Sequence, residues 1–313
     1  MPNPARPVRA QPTSLLAMNT LVLSQPKHLL RLSDLMLLAV AVVWGTSYGV
    51  AKGALAYYPV LGFLAVRFIL TFVLLLPTLL RLQRQPLRDA LRTGWPLGLL
   101  MLCIFICETF GVALTQASNA AFLISLCVVF TPFVEWWMLR RKPERAVFVF
   151  AGVSVLGAAL LSGGLAGNMG WGDALILGAA LLRAITVCQT SKLTRGSTAP
   201  ALALTAVQAG VIGFGGLLLA LCAPGGLPPL PSNTAFWQAS VYLVLGCTVF
   251  AFFAQNWALK HSAPSRVALL TSSEPAFGAL FAVLWLGESL GTMGWLGGGM
   301  IVLAALWTSA RRG

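Results

Sequence analysis

Charge is what this chain is short of. Its 313 residues include 21 Lys+Arg and 8 Asp+Glu, so 9% is ionic, where a soluble domain carries about 25%. With 58% hydrophobic residues and a mean hydropathy of +0.84, the apolar surplus exceeds what one core of this length can hide. That excludes an ordinary water-soluble protein and points to lipid as the solvent. The net charge of +13 does not indicate nucleic acid, because Lys and Arg sit in short runs between apolar stretches rather than on one soluble face. Histidine is nearly absent, occurring only as His28 and His261. Cys103, Cys107, Cys127, Cys188, Cys222 and Cys247 all fall in apolar segments without a C-x-x-C pair or a neighbouring His, so they are read as buried thiols, and no metal or cofactor is called for.

What the chain has in abundance is long apolar runs. A membrane-crossing helix needs about 20 apolar residues, and ten such stretches are found, near 34–54, 60–80, 94–115, 118–139, 145–163, 172–192, 200–222, 236–258, 265–286 and 292–310. The expected class is therefore all-α and polytopic, with ten transmembrane helices. Residues 1–33, with Pro2, Pro4, Pro7 and Pro12 near the start and an apolar patch from Leu15 to Leu23 too short to span, read as a flexible cytoplasmic tail.

Basic residues near helix ends are retained on the cytoplasmic side, and their placement alternates strictly. Arg6, Arg9, Lys27 and Arg31 precede the first span. Arg81, Arg84, Arg88 and Arg92 fill the second loop, Arg140, Arg141, Lys142 and Arg145 the fourth, Lys192 and Arg195 the sixth. Lys260 and Arg266 flank the eighth, and Arg311 with Arg312 ends the chain; the odd-numbered loops hold no Lys or Arg. Both termini are expected in the cytoplasm. Lys52, Arg67 and Arg183 are left inside or at the rim of the spans.

The two halves resemble each other. Ser33-Asp34-Leu35 and Gly172-Asp173-Ala174 open the first and sixth spans, and Ala113-Leu114 and Ala258-Leu259 close the third and eighth. Pro132 and Pro275 fall in the fourth and ninth with a two-residue shift, and Gly152 and Gly297 in the fifth and tenth. A repeat of five helices is odd, so the second copy enters the membrane from the opposite side. The expected units are 34–163 and 172–310, related by the inverted duplication of secondary transporters, with the substrate site near the midplane between them.

Particular residues carry a family resemblance. Val43-Trp44-Gly45-Thr46-Ser47-Tyr48-Gly49-Val50-Ala51-Lys52, then Pro59 and Arg67-Phe68, resembles the opening of the drug/metabolite transporter superfamily. Ala258-Leu259-Lys260, Glu274-Pro275-Ala276-Phe277 and Leu286-Gly287-Glu288-Ser289 resemble its EamA repeat. The first repeat departs from that pattern: Thr131 stands where the counterpart of Glu274 is expected, and Arg140-Arg141-Lys142 replaces the G-E pair. The resemblance implies a ten-helix inner-membrane exporter of amino acids or other small metabolites, a group that includes aromatic amino acid exporters.

Ionisable groups within hydrocarbon cost about 2.5–3.5 kcal/mol each on insertion scales and need a partner or a wet cavity. By helical rise, Glu274 lies ~12 Å from the cytoplasmic edge and Arg183 ~15 Å from the outer edge, both near the midplane. Arg67 and Glu108 share a depth in the outer third, which makes them an expected ion pair, coupling or structural. Glu135 is expected to reach back to the basic loop after it. The proposed substrate cavity is lined by Trp44, Thr46, Tyr48, Arg183, Gln255, Ser272 and Glu274. There a cation and an anion could engage a zwitterion, or apolar contact with Trp44 could dominate; protonation of Glu274 is a second route to coupling. For the polar mid-span residues, Asn256 among them, the competing reading is a plain bridge between helices. Pro132 and Pro275 each remove a backbone hydrogen bond, so kinks are expected there. Gly45, Gly49 and Gly53 form a stripe for close helix approach.

Two other functions were weighed. Gly45-Thr46-Ser47-Tyr48-Gly49 matches the nucleophile pattern of serine hydrolases, but Ser47 lies ~20 Å along the membrane normal from either histidine and has no base. The chain is therefore not read as an enzyme. A passive channel or facilitator is the alternative to a carrier, opposed by the lack of a filter motif.

Overall fold

The computed structural model describes residues 27–115, 117–162, 170–224, 226–286 and 291–310. Residues 1–26 of the expected tail, Gln116, the 163–169 loop, Gly287-Glu288-Ser289 and Arg311–Arg312 lie outside the described residues, as do the side chains of Tyr48 and Lys52. Helices make up the bundle: α1 Lys27–Leu55, α2 Val60–Leu80, α3 Arg84–Leu114, α4 Ala117–Ser125, α5 Cys127–Leu139, α6 Arg145–Ser162, α7 Trp171–Thr194 and α8 Ala201–Cys222. There follow α9 Thr234–Tyr242, a π-helical turn over Leu243–Phe250, α10 Ala251–His261, α11 Pro264–Thr271, α12 Glu274–Leu286 and α13 Thr292–Ala310. No strand occurs among the described residues.

Seven helices are long and apolar enough to cross a membrane, counting α4 with α5, from Phe122 to Leu139, and α9 through α10 as one each. The other three expected spans differ in kind. α6 and α13 are shorter apolar helices, and the 265–286 span is broken at Ser272-Ser273 into α11 and α12. The fourth span is broken at Leu126.

The termini of these helices follow from local chemistry. Pro59 and Pro200 stand just before α2 and α8, and Pro264 opens α11, positions where the missing N–H costs nothing. The Asn233 side chain accepts from the Ala235 N–H at 2.8 Å and caps α9. Arg140 ends α5 in the left-handed region at φ 53°. The two mid-span prolines act differently from simple kinks. Pro275 is the second residue of α12, immediately after the break, whereas Pro132 lies within α5, six residues beyond the break at Leu126.

The bundle is inside-out relative to a soluble protein. Val73, Leu218, Leu284 and Leu303 are exposed, while Asp34, Arg67, Glu108, Glu135, Asp173 and Glu274 are buried. Since lipid gives apolar faces no reason to associate, helices here meet through small residues. A Cβ on Gly45 would stand 2.6 Å from the Glu274 carbonyl oxygen and 2.7 Å from the Gly278 nitrogen, so α1 crosses α12 backbone to backbone. Gly157 and Gly297 make the same approach between α6 and α13. Gly49 and Gly53 have nothing within 4 Å of the corresponding position, so only one member of the expected stripe makes a crossing. Asn256 donates to Thr205 (3.1 Å) and Gln208 (2.7 Å), tying α10 to α8 as a plain bridge.

The packing pattern survives exchange of the two halves. α2 packs on α8 and α6 on α13; α3 packs on α7 as α1 does on α9–α10; α5 packs on α7 as α12 does on α1.

Substituting Gly45 by Ala is expected to destabilise the chain by about 1–3 kcal/mol through forced separation of two backbones. Gly49→Ala should be neutral or stabilising, because a helical glycine costs about 1 kcal/mol relative to alanine. Thermal unfolding of both variants in detergent checks this: a lower midpoint for Gly45→Ala alone is the expected result.

Candidate functional site

A cavity of about 1140 Å³, its open mouth included, lies between the two halves. On α1 it is lined by Trp44, Ser47, Ala51 and Leu55, one helical face running from mid-helix to the C-terminal end. α2 contributes Phe63, Leu64 and Arg67 near its start, and α3 contributes residues from Met101 to Val112 near its end. Arg183 and Thr186 come from the middle of α7, Phe252 and Gln255 from α10, Thr271 and Glu274 from either side of the α11/α12 break. The cavity therefore occupies the middle of the bundle and the end that carries Leu55 and Leu114. Toward the opposite end the lining reaches Val187 and Ala268, while Asp34 and Arg266 themselves are not part of it.

Arg183 is the electrostatic centre. Its Nη2 lies 3.3 Å from Glu108 Oε2 and its Nη1 3.6 Å from Glu274 Oε2. The guanidinium carbon sits 5.4 Å from the centre of the Trp44 ring, a cation–π contact. One cation thus faces two carboxylates, one from each half. The expected pairing of Glu108 with Arg67 is not formed: Glu108 turns to Arg183, and Arg67 donates through Nε to Thr248 Oγ1 at 3.0 Å. Equal depth brought both groups to one cavity, but depth leaves the direction around the helix axis undetermined.

The π-helical turn explains why Trp44 and Arg67 sit where they do. A π turn widens the helix and exposes backbone carbonyls. Here the Trp44 indole N–H donates to the Cys247 carbonyl at 3.1 Å, and the Cys247 thiol lies 3.6 Å from the Val43 carbonyl. Thr248 donates to the Leu243 carbonyl five residues back at 2.9 Å, leaving its hydroxyl oxygen to receive Arg67. Nothing in the sequence reading pointed to Leu243–Phe250; Gly246 and Thr248 in an otherwise apolar run were the only available signal.

Of the seven expected lining residues, Trp44, Arg183, Gln255 and Glu274 face the cavity. Thr46 instead donates to the Val43 carbonyl (3.0 Å) and shares a hydrogen bond with the Tyr242 hydroxyl. Ser272 is buried against Ser154 at 3.1 Å, linking α6 to the α11/α12 break. Thr46 is turned away by the helical periodicity that sets which residues of α1 share the Trp44 face, and Ser272 by its bonds to Ser154 and the Leu269 carbonyl at the break. The Tyr48 side chain lies outside the described residues. An aromatic wall was missed: Phe63, Phe105 and Phe252 line the cavity, with Phe105 stacked on Phe252 at 6.1 Å.

The end without a cavity is held shut by polar contacts between halves. Arg266 donates to Asp34 through Nη2 at 2.7 Å and Nε at 3.2 Å. Glu135 does not reach the basic loop as expected. It accepts from the Ser265 N–H at 3.0 Å and from the Ser265 hydroxyl, because the unpaired N–H groups opening α11 are the nearer positive charge. At the opposite end Asp173 accepts from the Gly170 N–H at 2.9 Å and from the Thr115 hydroxyl.

Comparison with known proteins gives these features a family. Two stretches, residues 31–163 and 170–310, match the EamA-like transporter family. The chain belongs to that family. It is 28% identical over 286 residues to an uncharacterized transporter of Archaeoglobus fulgidus, covering 89% of this chain and 86% of that one. It is also 28% identical to the uncharacterized inner membrane transporter YedA of Escherichia coli K12, covering 86% and 88% respectively. One solved crystal structure shares the fold with a TM-score of 0.68 at 17% identity, covering 87% of this chain and 94% of that one. The protein is thus a membrane transporter of the EamA, drug/metabolite transporter group, and the aromatic amino acid exporter subtype is not established by these relatives.

Arg183→Gln should lower stability by about 3–5 kcal/mol by stranding two buried carboxylates. Adding Glu274→Gln removes one of those charges and should recover part of the loss. Thermal unfolding of the single and double variants decides this, and additive losses would show that Arg183 and Glu274 do not interact.

Proposed function

We propose that this EamA transporter exports small metabolites, amino acids foremost, across the inner membrane by alternating access through the cavity between its halves. The reading takes the bundle as ten crossings in two inverted repeats, 34–163 and 172–310, with both termini cytoplasmic. The exchange-symmetric packing and the alternation of basic loops support it. The observation that carries it is a charged cavity between the halves whose lining reaches Leu55 and Val112, with Asp34 and Arg266 paired at the other end of the bundle.

The Leu55 end is the one whose loops lack Lys and Arg, so this reading takes that side as external and the state as outward-facing. Export then requires the Asp34–Arg266 and Glu135–Ser265 contacts to part while the mouth between α1, α2 and α3 closes. Protonation of one of the two carboxylates facing Arg183 would neutralise that cluster, making a proton a candidate counter-ion. A channel needs a continuous aqueous path, which the clasped end interrupts.

Counterflow in proteoliposomes tests the carrier reading: trans-acceleration of a labelled amino acid by unlabelled amino acid inside is expected, and its absence across a full amino acid panel would refute it. Cys127 lines the cavity and reports the gate. In a chain whose other five cysteines are serine, an impermeant thiol reagent should label it from outside. Asp34→Asn should reduce that labelling and raise labelling from the cytoplasmic face.

A further inference from the structure

We propose that Arg67, rather than Arg183, is the receptor for the carboxylate of the transported molecule, so that the cavity selects small zwitterions bearing an apolar group. This deepens the transport reading above and rests on it.

The argument begins with the donors. A guanidinium carries five N–H groups and no acceptor. Arg67 spends one of them, Nε–H, on Thr248, and joins no ion pair among the described residues. It lines the cavity although the residue as a whole is only 7% exposed. A cation this deep is costly; the charge of Glu108 in the same cavity offsets part of that cost, and the terminal nitrogens have no hydrogen-bond partner among the described residues. Its flanks are apolar and fixed: the guanidinium carbon lies 5.1 Å from the centre of the Phe68 ring and 5.6 Å from that of Phe105. Held by Thr248 on one edge and by rings beside it, the fork is preorganised for a planar, bidentate partner, and a carboxylate is that shape.

Charge around the cavity supplies the rest. Arg183 faces two carboxylates, so with all groups ionised that cluster carries one net negative charge. Arg67 supplies one positive charge on a different helix. The cavity is therefore dipolar while neutral in sum. A zwitterion laid across it places its carboxylate on Arg67 and its ammonium toward the Glu108, Glu274 cluster. Phe63, Phe105, Phe252 and Trp44 line the same space and provide contact for an apolar side chain. An amine without a carboxylate leaves Arg67 uncompensated; an acid without an amine leaves the Arg183 cluster uncompensated.

Calorimetric binding to the purified full chain in detergent tests this with three probes of one skeleton: L-phenylalanine, phenethylamine, which lacks the carboxylate, and hydrocinnamate, which lacks the amine. The wild type is expected to bind L-phenylalanine most tightly. Arg67→Gln should weaken L-phenylalanine and hydrocinnamate by about 10- to 100-fold, as loss of a charge-assisted bidentate contact implies, and leave phenethylamine unchanged. Arg67→Lys should fall between, and Thr248→Val, which frees the fork without removing it, should weaken the same two probes by a smaller factor. An unchanged unfolding midpoint for Thr248→Val keeps the test valid if Arg67→Gln fails to fold. Wild-type affinity for L-phenylalanine in both Arg67→Gln and Thr248→Val overturns the proposal, as does loss of carboxylate discrimination in Arg183→Gln alone. If the wild type binds none of the three probes while trans-acceleration by amino acids persists, the Arg67 assignment falls and the transport reading stands. If trans-acceleration is also absent, the transport reading falls with it.

Discussion

The cost of a carboxylate in a medium without water organises this molecule. Of eight acidic residues, Asp34, Glu108, Glu135, Asp173 and Glu274 are buried, and each must be compensated. The compensation comes mostly from the other half of the chain: Asp34 from Arg266, Glu108 from Arg183, Glu135 from Ser265 and Asp173 from Thr115. Even Asp89, an exposed carboxylate on α3, accepts from Thr198 at 3.1 Å and 2.7 Å. The seam between the halves therefore combines apolar packing, as where Leu64, Phe68 and Leu102 meet Ile212 and Phe252, with polar contacts where the acids are buried.

Small residues set the complementary constraint. Backbones touch at Gly45 against Gly278 and at Gly157 against Gly297, and Gly98 makes room for the Val211 side chain, where a Cβ would meet it at 2.7 Å. Dispersion over such close contacts substitutes for the hydrophobic effect that lipid removes. Dry glycine crossings and polar clasps thus alternate along the interface, and the proposed transport motion would part the clasps while the crossings stay.

Much of this was legible in the sequence, and the omissions have a common cause. Apolar run length and flanking charge depend on the membrane alone, so every expected span corresponds to helix in the structure, though two are broken. Depth along a helix was legible for the same reason, and it brought Arg67, Glu108, Arg183 and Glu274 to one cavity. Azimuth was not. Whether Glu108 meets Arg67 or Arg183, whether Thr46 faces the cavity or Tyr242, and whether Gly49 touches a neighbour all depend on how helices are rotated, which only their partners decide. The π turn at Leu243–Phe250 is the extreme case, since its shifted hydrogen bonds are stabilised by Trp44 and Arg67 from other helices. Glu135 was misjudged because an irregular break in the partner helix created the N–H groups it caps.

On the alternating-access reading proposed above, the placement of these contacts along α1 would make that helix a lever. Its dry crossing with α12 is at Gly45; Asp34 lies eleven residues toward one end and Leu55 ten toward the other, ~16 Å and ~15 Å by helical rise. Asp34 is locked by two hydrogen bonds to Arg266, while Leu55 lines the cavity mouth. The backbone contact at Gly45 resists sliding and separation but leaves rotation about the crossing as the soft motion. Tilting α1 about that point to release Asp34 would carry Leu55 toward the mouth, so opening one end and closing the other become a single movement. Trp44 stands beside the pivot with its ring on Arg183 and its indole N–H on the π turn. On the same reading, the charge state and occupancy of the Arg183 cluster would act at the fulcrum, where a small displacement is magnified at both ends.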